Sequence, residues 1–159
     1  YWICKRAPGF ANEAQECLGG AGYVEESGLP RLYRQAPLNS IWEGSGNIQC
    51  LDVLRALAKE PDTGEALLAE LLAGSGIDAD FDAVLADAQA RLAQGLDETG
   101  ARALVEQLAL LLQAAILLRA GNPLARDYCR SRLGGGREPF SATMDSPRLD
   151  AGQQRRGGR

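Results

Sequence analysis

Histidine is absent from the 159-residue sequence. A histidine-dependent catalytic triad, a histidine metal site and a histidine proton shuttle are therefore excluded within this chain. Basic residues are also in slight deficit, because 17 Lys and Arg face 21 Asp and Glu and give a net charge of -4. This balance argues against a strongly basic nucleic-acid-binding domain, although it leaves room for a local basic patch.

Cysteine is sparse, and its four copies form no C-x-x-C pair. Cys4, Cys17, Cys50 and Cys129 all fall in segments with helical periodicity. The simplest interpretation is reduced thiols packed as small apolar residues, as is typical of cytoplasmic proteins. A disulfide or a bound metal is the alternative, and we predict no metal site.

Long apolar runs and a signal peptide are also missing. The most apolar segment, Leu108 to Leu118, is interrupted by Gln113 and is too short to cross a bilayer. We therefore expect a cytoplasmic protein with no membrane contact. The first residues, 1–6, lack an initiator Met and have the pattern of a helix interior, so we expect the C-terminal part of a larger protein.

Apolar residues recur every three to four positions along most of the chain, and no alternating β pattern persists. This pattern predicts an all-α helical bundle with helices over 2–18, from Pro30, and over 45–59, 64–73, 80–94, 100–120 and 123–133. Asp80 and Thr99 are the predicted N-caps of the two helices that they precede. The helix over 100–120 is apolar nearly all round in its second half, which predicts a central position. Residues 135–159 are rich in Gly and Arg and predict a disordered tail.

Residues 40–50, SIWEGSGNIQC, contain one carboxylate in an unusual setting. Glu43 follows Trp42 and precedes a Gly-Ser-Gly turn and an amphipathic helix, so it has the surroundings of a general base at the edge of an apolar pocket. A solvated acid favoured by the helix N-terminus is the alternative. Upstream, the loop LGGAGY over 18–23 allows a ligand to approach the backbone closely.

Together with RLYRQA over 31–36, these two stretches resemble the C-terminal helical domain of acyl-CoA dehydrogenases. In that family a G-G-x-G-[YF] loop precedes an R-D-[AS]-like helix and an [IY]-[YF]-E-G-[TS]-x-[QE]-I-Q motif. The sequence from residue 40 onward and the helices over 62–133 are most similar to the AidB-like branch, flavoproteins of the adaptive response to DNA alkylation. The resemblance implies a family domain end over 1–60, a helical extension over 61–134 and the tail.

The resemblance also implies roles for individual residues. Glu43 falls on the base that removes the α-proton of an acyl-CoA thioester while a β-hydride passes to FAD. The implied flavin contacts are Trp42, Ser45 and Asn47 within one subunit and Glu16, Gly19 and Gly20 toward the flavin of a neighbouring subunit in a homotetramer.

Three positions depart from the family pattern and predict poor dehydrogenation. Trp42 replaces a Tyr or Phe and could crowd the acyl pocket, Asn47 replaces a longer Gln or Glu, and Gln35 stands where the family has Asp. The chain also lacks the other domains that hold most of the flavin, so we expect it to be inactive alone.

The AidB-like branch is associated with binding of double-stranded DNA, for which arginine guanidinium groups on the later helices are the candidates. They are Arg55, Arg119, Arg126, Arg130 and Arg132. Scattered surface arginines are the alternative, because residues 51–133 hold thirteen acidic and eight basic residues. A non-catalytic DNA-binding or oligomerisation module is therefore the second functional hypothesis.

Overall fold

The computed structural model describes residues 1–42, 44–95 and 97–134, and within these ranges the chain is helical with no strand. The α-helices are α1 (Trp2–Cys17), α2 (Gly20–Tyr23), α3 (Leu29–Gln35), α4 (Gly46–Lys59), α5 (Pro61–Leu72), α6 (Ala79–Gln94), α7 (Ala101–Arg119) and α8 (Ala125–Arg132). Short 3₁₀ segments occupy Glu25–Ser27, Ala36–Ser40 and Glu98–Gly100. The all-α prediction is confirmed, and the predicted tail over 135–159 lies outside the described residues.

Helix α7 is the centre of the bundle, as its apolar composition predicts. Ten of its side chains are buried, and α4, α5, α6 and α8 pack against it. Phe81 of α6, Leu71 of α5 and Leu111 of α7 are among the largest fully buried side chains. The window Glu98–Arg119 is long and apolar enough by length and composition to cross a membrane, contrary to the expectation from sequence. More than half of that window is buried inside the bundle, as in the core helix of a soluble fold.

Both predicted helix caps are wrong, and in each case an earlier aspartate makes the capping bonds. Asp78 caps α6, because its Oδ1 accepts the backbone N–H groups of Asp80 at 3.0 Å and Phe81 at 3.1 Å. Asp97 likewise accepts the backbone N–H of Thr99 at 3.0 Å and caps the 3₁₀ segment that precedes α7. An aspartate in extended backbone reaches the N–H groups two and three residues ahead, which explains both shifts.

Ile48, Leu51, Leu54 and Leu57 recur at helical spacing along α4, and all but Ile48 lie in the core or pack against it. Cys50 is completely buried and Leu54 nearly so, whereas Ile48 remains 56% exposed. Cys50 is buried because α4 packs against both α5 and α7, and its side chain is small enough to lie between these helices.

Cysteine packing is confirmed for two of the four thiols. Cys50 and Cys129 are buried, but Cys17 is exposed, and none of the four, all within the described residues, forms a disulfide. Burial, with the Asp78 and Asp80 carboxylates nearby, raises the pKa of the Cys129 thiol from 9.0 to about 11.

The first forty residues form a hairpin of helices along the bundle. The chain runs out along α1, turns through α2 and Glu25–Ser27, and returns beside α1 through α3 and Ala36–Ser40. The predicted apolar face of α1 is not covered by the described chain: Ile3 and Phe10 are each 79% exposed, and α1 contains no buried residue.

We expect the contact between α7 and the turn after α5 to be intolerant of one added methyl group. A Cβ on Gly74 would lie 2.9 Å from Ala115 Cα and 3.2 Å from Phe81 Cζ. Gly74→Ala should therefore lower the free energy of unfolding by about 1–3 kcal/mol in urea titrations followed by circular dichroism. Gly9→Ala is the control, because no atom lies within 4 Å of the added Cβ and alanine favours helix. Equal midpoints for the two variants would contradict the expectation.

Candidate functional site

The glycine loop predicted to approach a ligand begins where α1 ends. Gly19 has φ 58°, which an L side chain rarely adopts, and it precedes the one-turn helix α2 that the sequence analysis treated as part of a loop. Gly22 is buried against α1: an added Cβ would lie 2.2 Å from the Gln15 carbonyl oxygen. The Gln15 side-chain amide in turn donates to the Gly22 carbonyl at 3.3 Å.

The glycines of this loop thus divide into two roles. Gly22 serves the contact between α1 and α2, whereas added Cβ atoms on Gly19 and Gly20 would meet nothing within 4 Å. Glu16, the third predicted contact to a neighbouring flavin, is exposed beside them and accepts a hydrogen bond from Asn12 at 2.8 Å. Glu16, Gly19 and Gly20 therefore share one open surface at the C-terminal end of α1.

Tyr23, at the end of this loop, is 82% exposed. The ring of a tyrosine that follows a glycine turn usually packs against a helix. The described chain offers no such helix face to Tyr23, so the ring adds to the same open surface.

The second loop leads into α4. Trp42 is 65% exposed, Gly44 has φ 110°, and Ser45 is the N-cap residue in extended backbone. The Ser45 side chain makes no capping bond, and Asn47 in the first turn is exposed. The predicted base, Glu43, lies outside the described residues, and Trp42 and Gly44 are its neighbours on either side.

The two loops lie at opposite ends of α1. Gly22 packs on Gln15 near the end of the helix, whereas an added Cβ on Gly46 would lie 3.3 Å from the Tyr1 ring at its start. A helix of 16 residues is about 24 Å long. The structure therefore groups Glu16, Gly19 and Gly20 separately from Trp42, Ser45 and Asn47.

Two residues that the sequence analysis missed support the second loop. The Arg102 Nε–H of α7 donates to the Tyr1 hydroxyl at 3.4 Å, and the Arg102 guanidinium carbon lies 5.8 Å from the centre of the Tyr1 ring. No local motif marks either residue, since 101 positions separate them in the chain. Arg102 shows only as a basic residue at the start of an otherwise apolar helix.

The predicted DNA-contacting arginines are exposed but do not form a single cluster. Arg126, Arg130 and Arg132 share α8, whereas Arg55 lies on α4. Three of the five are paired with carboxylates, which reduces the charge that they present: Arg55 with Asp52, Arg119 with Glu70, and Arg130 with Asp127. Within the described ranges no group of three or more Cys, Asp or Glu is arranged to hold a metal ion.

Comparison with known proteins assigns the domain that contains both loops. Residues 1–58 match the family model "Acyl-CoA dehydrogenase, C-terminal domain". The chain belongs to the acyl-CoA dehydrogenase family. It is 47% identical over 132 residues to "Putative acyl-CoA dehydrogenase AidB" of Escherichia coli (strain K12), which covers 82% of the chain and 24% of that protein.

Two further relatives match over shorter stretches. "Acyl-CoA dehydrogenase family member 11" of Caenorhabditis elegans is 48% identical over 54 residues, 34% of the chain and 9% of the relative. "Short-chain specific acyl-CoA dehydrogenase, mitochondrial" of Bos taurus is 42% identical over 53 residues, 33% of the chain and 13% of the relative. The 132-residue match to AidB necessarily extends beyond residue 58, so the extension helices also have a counterpart in AidB. The division at residue 60 stays a prediction, and the chain spans about a quarter of the length of this relative.

Alanine variants of two glycines in the first loop distinguish a glycine needed for packing from one that lies on the open surface. Gly22→Ala should lower the melting temperature by several degrees, because its Cβ meets the Gln15 backbone, whereas Gly20→Ala should leave it unchanged. Thermal unfolding followed by circular dichroism measures both. A loss of stability with Gly20→Ala as large as that with Gly22→Ala would show that Gly20 is also a packing residue.

Proposed function

We propose that this acyl-CoA dehydrogenase-family chain is the C-terminal portion of an FAD-dependent flavoprotein of AidB type, with Glu43 as the proton-abstracting base. The proposal is carried by the loop before α4, where Trp42, Gly44 and the uncapped Ser45 lie in a segment that matches the family model. An exposed aromatic wall, a glycine in left-handed backbone and an open helix start are the features that a base beside a planar cofactor requires.

The described residues fit FAD at both loops. At α4, the Ser45 side chain makes no capping bond, so the N–H groups of the first turn lack a side-chain acceptor. Ser45 and Asn47 would therefore bind polar atoms of the flavin there, and Trp42 would flank the flavin ring. At the other end of α1, Gly19 and Gly20 leave open space, and Glu16 offers an acceptor for a flavin bound by a neighbouring subunit. FAD, when bound, supplies the acceptor for the β-hydride at N5.

Glu43 would take the α-proton of the acyl thioester as its Cα–H bond breaks, leaving the α,β double bond once the β-hydride has gone. A carboxylate is a stronger base in an apolar pocket that excludes water than in bulk water. Asn47 and Gln35, which depart from the family pattern, would favour slow turnover over efficient turnover. We propose an acyl-CoA as the substrate class on the same grounds.

An oligomer formed through the helical domain, a homotetramer in our proposal, is supported by the exposed apolar residues of the first 48 positions. They include Ile3, Phe10, Leu18, Tyr23, Val24, Leu32, Leu38, Ile41, Trp42 and Ile48. Apolar side chains concentrated in this way are typical of contact surfaces. The four free thiols support a cytoplasmic location, which is part of the same proposal.

Replacing the proposed base tests the function directly. In the full-length protein reconstituted with FAD, Glu43→Gln should slow α-proton exchange of butyryl-CoA in D₂O by about 100-fold or more, because an amide cannot accept the proton. Glu26→Gln, an exposed acid outside both loops, is the matched control. Gly20→Trp should fill the open space and lower flavin content. Unchanged exchange with Glu43→Gln and unchanged flavin content with Gly20→Trp would refute the site assignment.

Protection of double-stranded DNA against alkylation is the second candidate function. It is favoured by the exposure of Arg126, Arg130 and Arg132 on one short helix, where Arg126 makes no ion pair with any described residue. Such arginines would contact phosphates without reading sequence. The net negative charge of residues 51–133 limits this binding to a local surface.

Charge reversal on α8 tests the DNA proposal. Arg130→Glu with Arg132→Glu should weaken binding to a random duplex and lower the slope of log K against log salt by about two, as two phosphate contacts are lost. The matched control is Arg31→Glu with Arg34→Glu, which makes the same charge change on α3. Fluorescence anisotropy across a salt series measures both, and equal weakening by the two double variants would remove α8 from the interface.

A further inference from the structure

The Tyr1 ring links the extension helix α7 to the first residue of α4, besides the direct packing of α4 on α5 and α7. Tyr1 lies at the start of α1, and its ring atoms Cδ2 and Cε2 would be 3.3 and 3.4 Å from a Cβ on Gly46. This separation is tighter than ordinary van der Waals contact, so only glycine fits at Gly46 without a shift of the ring. The first residue of α4 is thereby held against the first residue of the chain.

The Tyr1 side chain also contacts α7. Arg102 donates to the Tyr1 hydroxyl at 3.4 Å and places its guanidinium carbon 5.8 Å from the ring centre. A guanidinium in this position is attracted by the ring and also fixes the direction of the hydroxyl. Partial burial of the ring raises the pKa of the Tyr1 hydroxyl, in agreement with a ring enclosed between two helices.

We propose that Tyr1 and Arg102 are positioning residues that fix the start of α4, where the proposed flavin contacts Ser45 and Asn47 lie, from the extension helix α7. The contact runs from Arg102 to the Tyr1 ring, and from that ring to Gly46, which follows Ser45 and precedes Asn47. Residues 1–58 match the family domain whereas Arg102 lies beyond it. The extension therefore has a role in the family site itself, besides any contact with DNA.

We call the two contacts, Arg102 with Tyr1 and Tyr1 with Gly46, the brace. The role of the brace in catalysis rests on the proposed function, whereas the two contacts do not. Cys50, buried one helical turn after Gly46, anchors the rest of α4, so the first turn is the part of the helix that depends on Tyr1. Loss of the brace should loosen residues 44–47 while leaving the bundle folded. A general loss of packing would instead loosen α4 throughout.

Amide hydrogen exchange in the full-length protein tests the brace independently of catalysis. Arg102→Gln and Tyr1→Leu should each speed exchange of the Gln49 amide, which donates to the Ser45 carbonyl at 3.0 Å, by about threefold to tenfold, the effect of losing one net hydrogen bond or its equivalent in packing. Tyr1→Phe keeps the ring on Gly46 and Arg102→Lys keeps a cation over it, so both should restore most of the protection. Arg91→Gln is the matched control, because it removes the 2.8 Å bond from Arg91 to Gln107 between α6 and α7 at a distance from Gly46.

Assays of α-proton exchange of butyryl-CoA and of FAD affinity on the same variants distinguish the existence of the brace from its role in catalysis. The proposal predicts that Arg102→Gln lowers both by about threefold to tenfold, with recovery in Arg102→Lys and no effect of Arg91→Gln. Unchanged protection of the Gln49 amide in Arg102→Gln and Tyr1→Leu, or an equal change in Arg91→Gln, would overturn the brace. Faster amide exchange with normal activity of Glu43→Gln would uphold the brace and refute the proposed base instead.

Discussion

Burial of one apolar helix organises the described fold. Helix α7 contributes ten buried side chains, and each neighbouring helix is placed by the face that it lays against this one. At about 25 cal/mol for each Å² of apolar surface removed from water, the burial of these side chains contributes substantially to the stability of the fold. The close approach of Gly74 to Ala115, and the complete burial of Cys50 and Cys129, show how tightly the helices around α7 are fitted.

The two parts of the chain use their apolar residues differently. From α4 onward they fill the core around α7, whereas in the first 48 residues most large apolar side chains remain exposed, and α1 buries none. Periodicity alone made α1 look like any amphipathic core helix, because a helix that packs on another subunit or domain has the same spacing as one that packs within its own chain. The exposed face and the two candidate loops lie in the segment that matches the acyl-CoA dehydrogenase domain.

The sequence predicted most helices and the central place of α7, since these follow from apolar spacing and from glycine and proline boundaries. It failed at the helix caps: Asp78 caps α6 in place of Asp80, and Asp97 caps the 3₁₀ segment before α7, whose own N-cap residue is Gly100 and not Thr99. The packing role of Gly22 against the Gln15 backbone also had no sequence signal, because it depends on how α2 folds back on α1. The contact between Tyr1 and Arg102 had no sequence signal, because it depends on how α1 and α7 cross and not on either local pattern.

The placement of the two loops decides how a flavin site could be assembled from this chain. Gly19 and Gly20 lie at one end of α1, and Ser45 and Asn47 at the other, about 24 Å away along a helix of 16 residues. The chain reaches the second end only by returning beside α1 through α3 and Ala36–Ser40. Groups held at opposite ends of one helix serve the same small site only if a second copy brings the other end to it. The proposed function therefore requires two copies of the chain at each flavin site, with α1 as the spacer between two such sites.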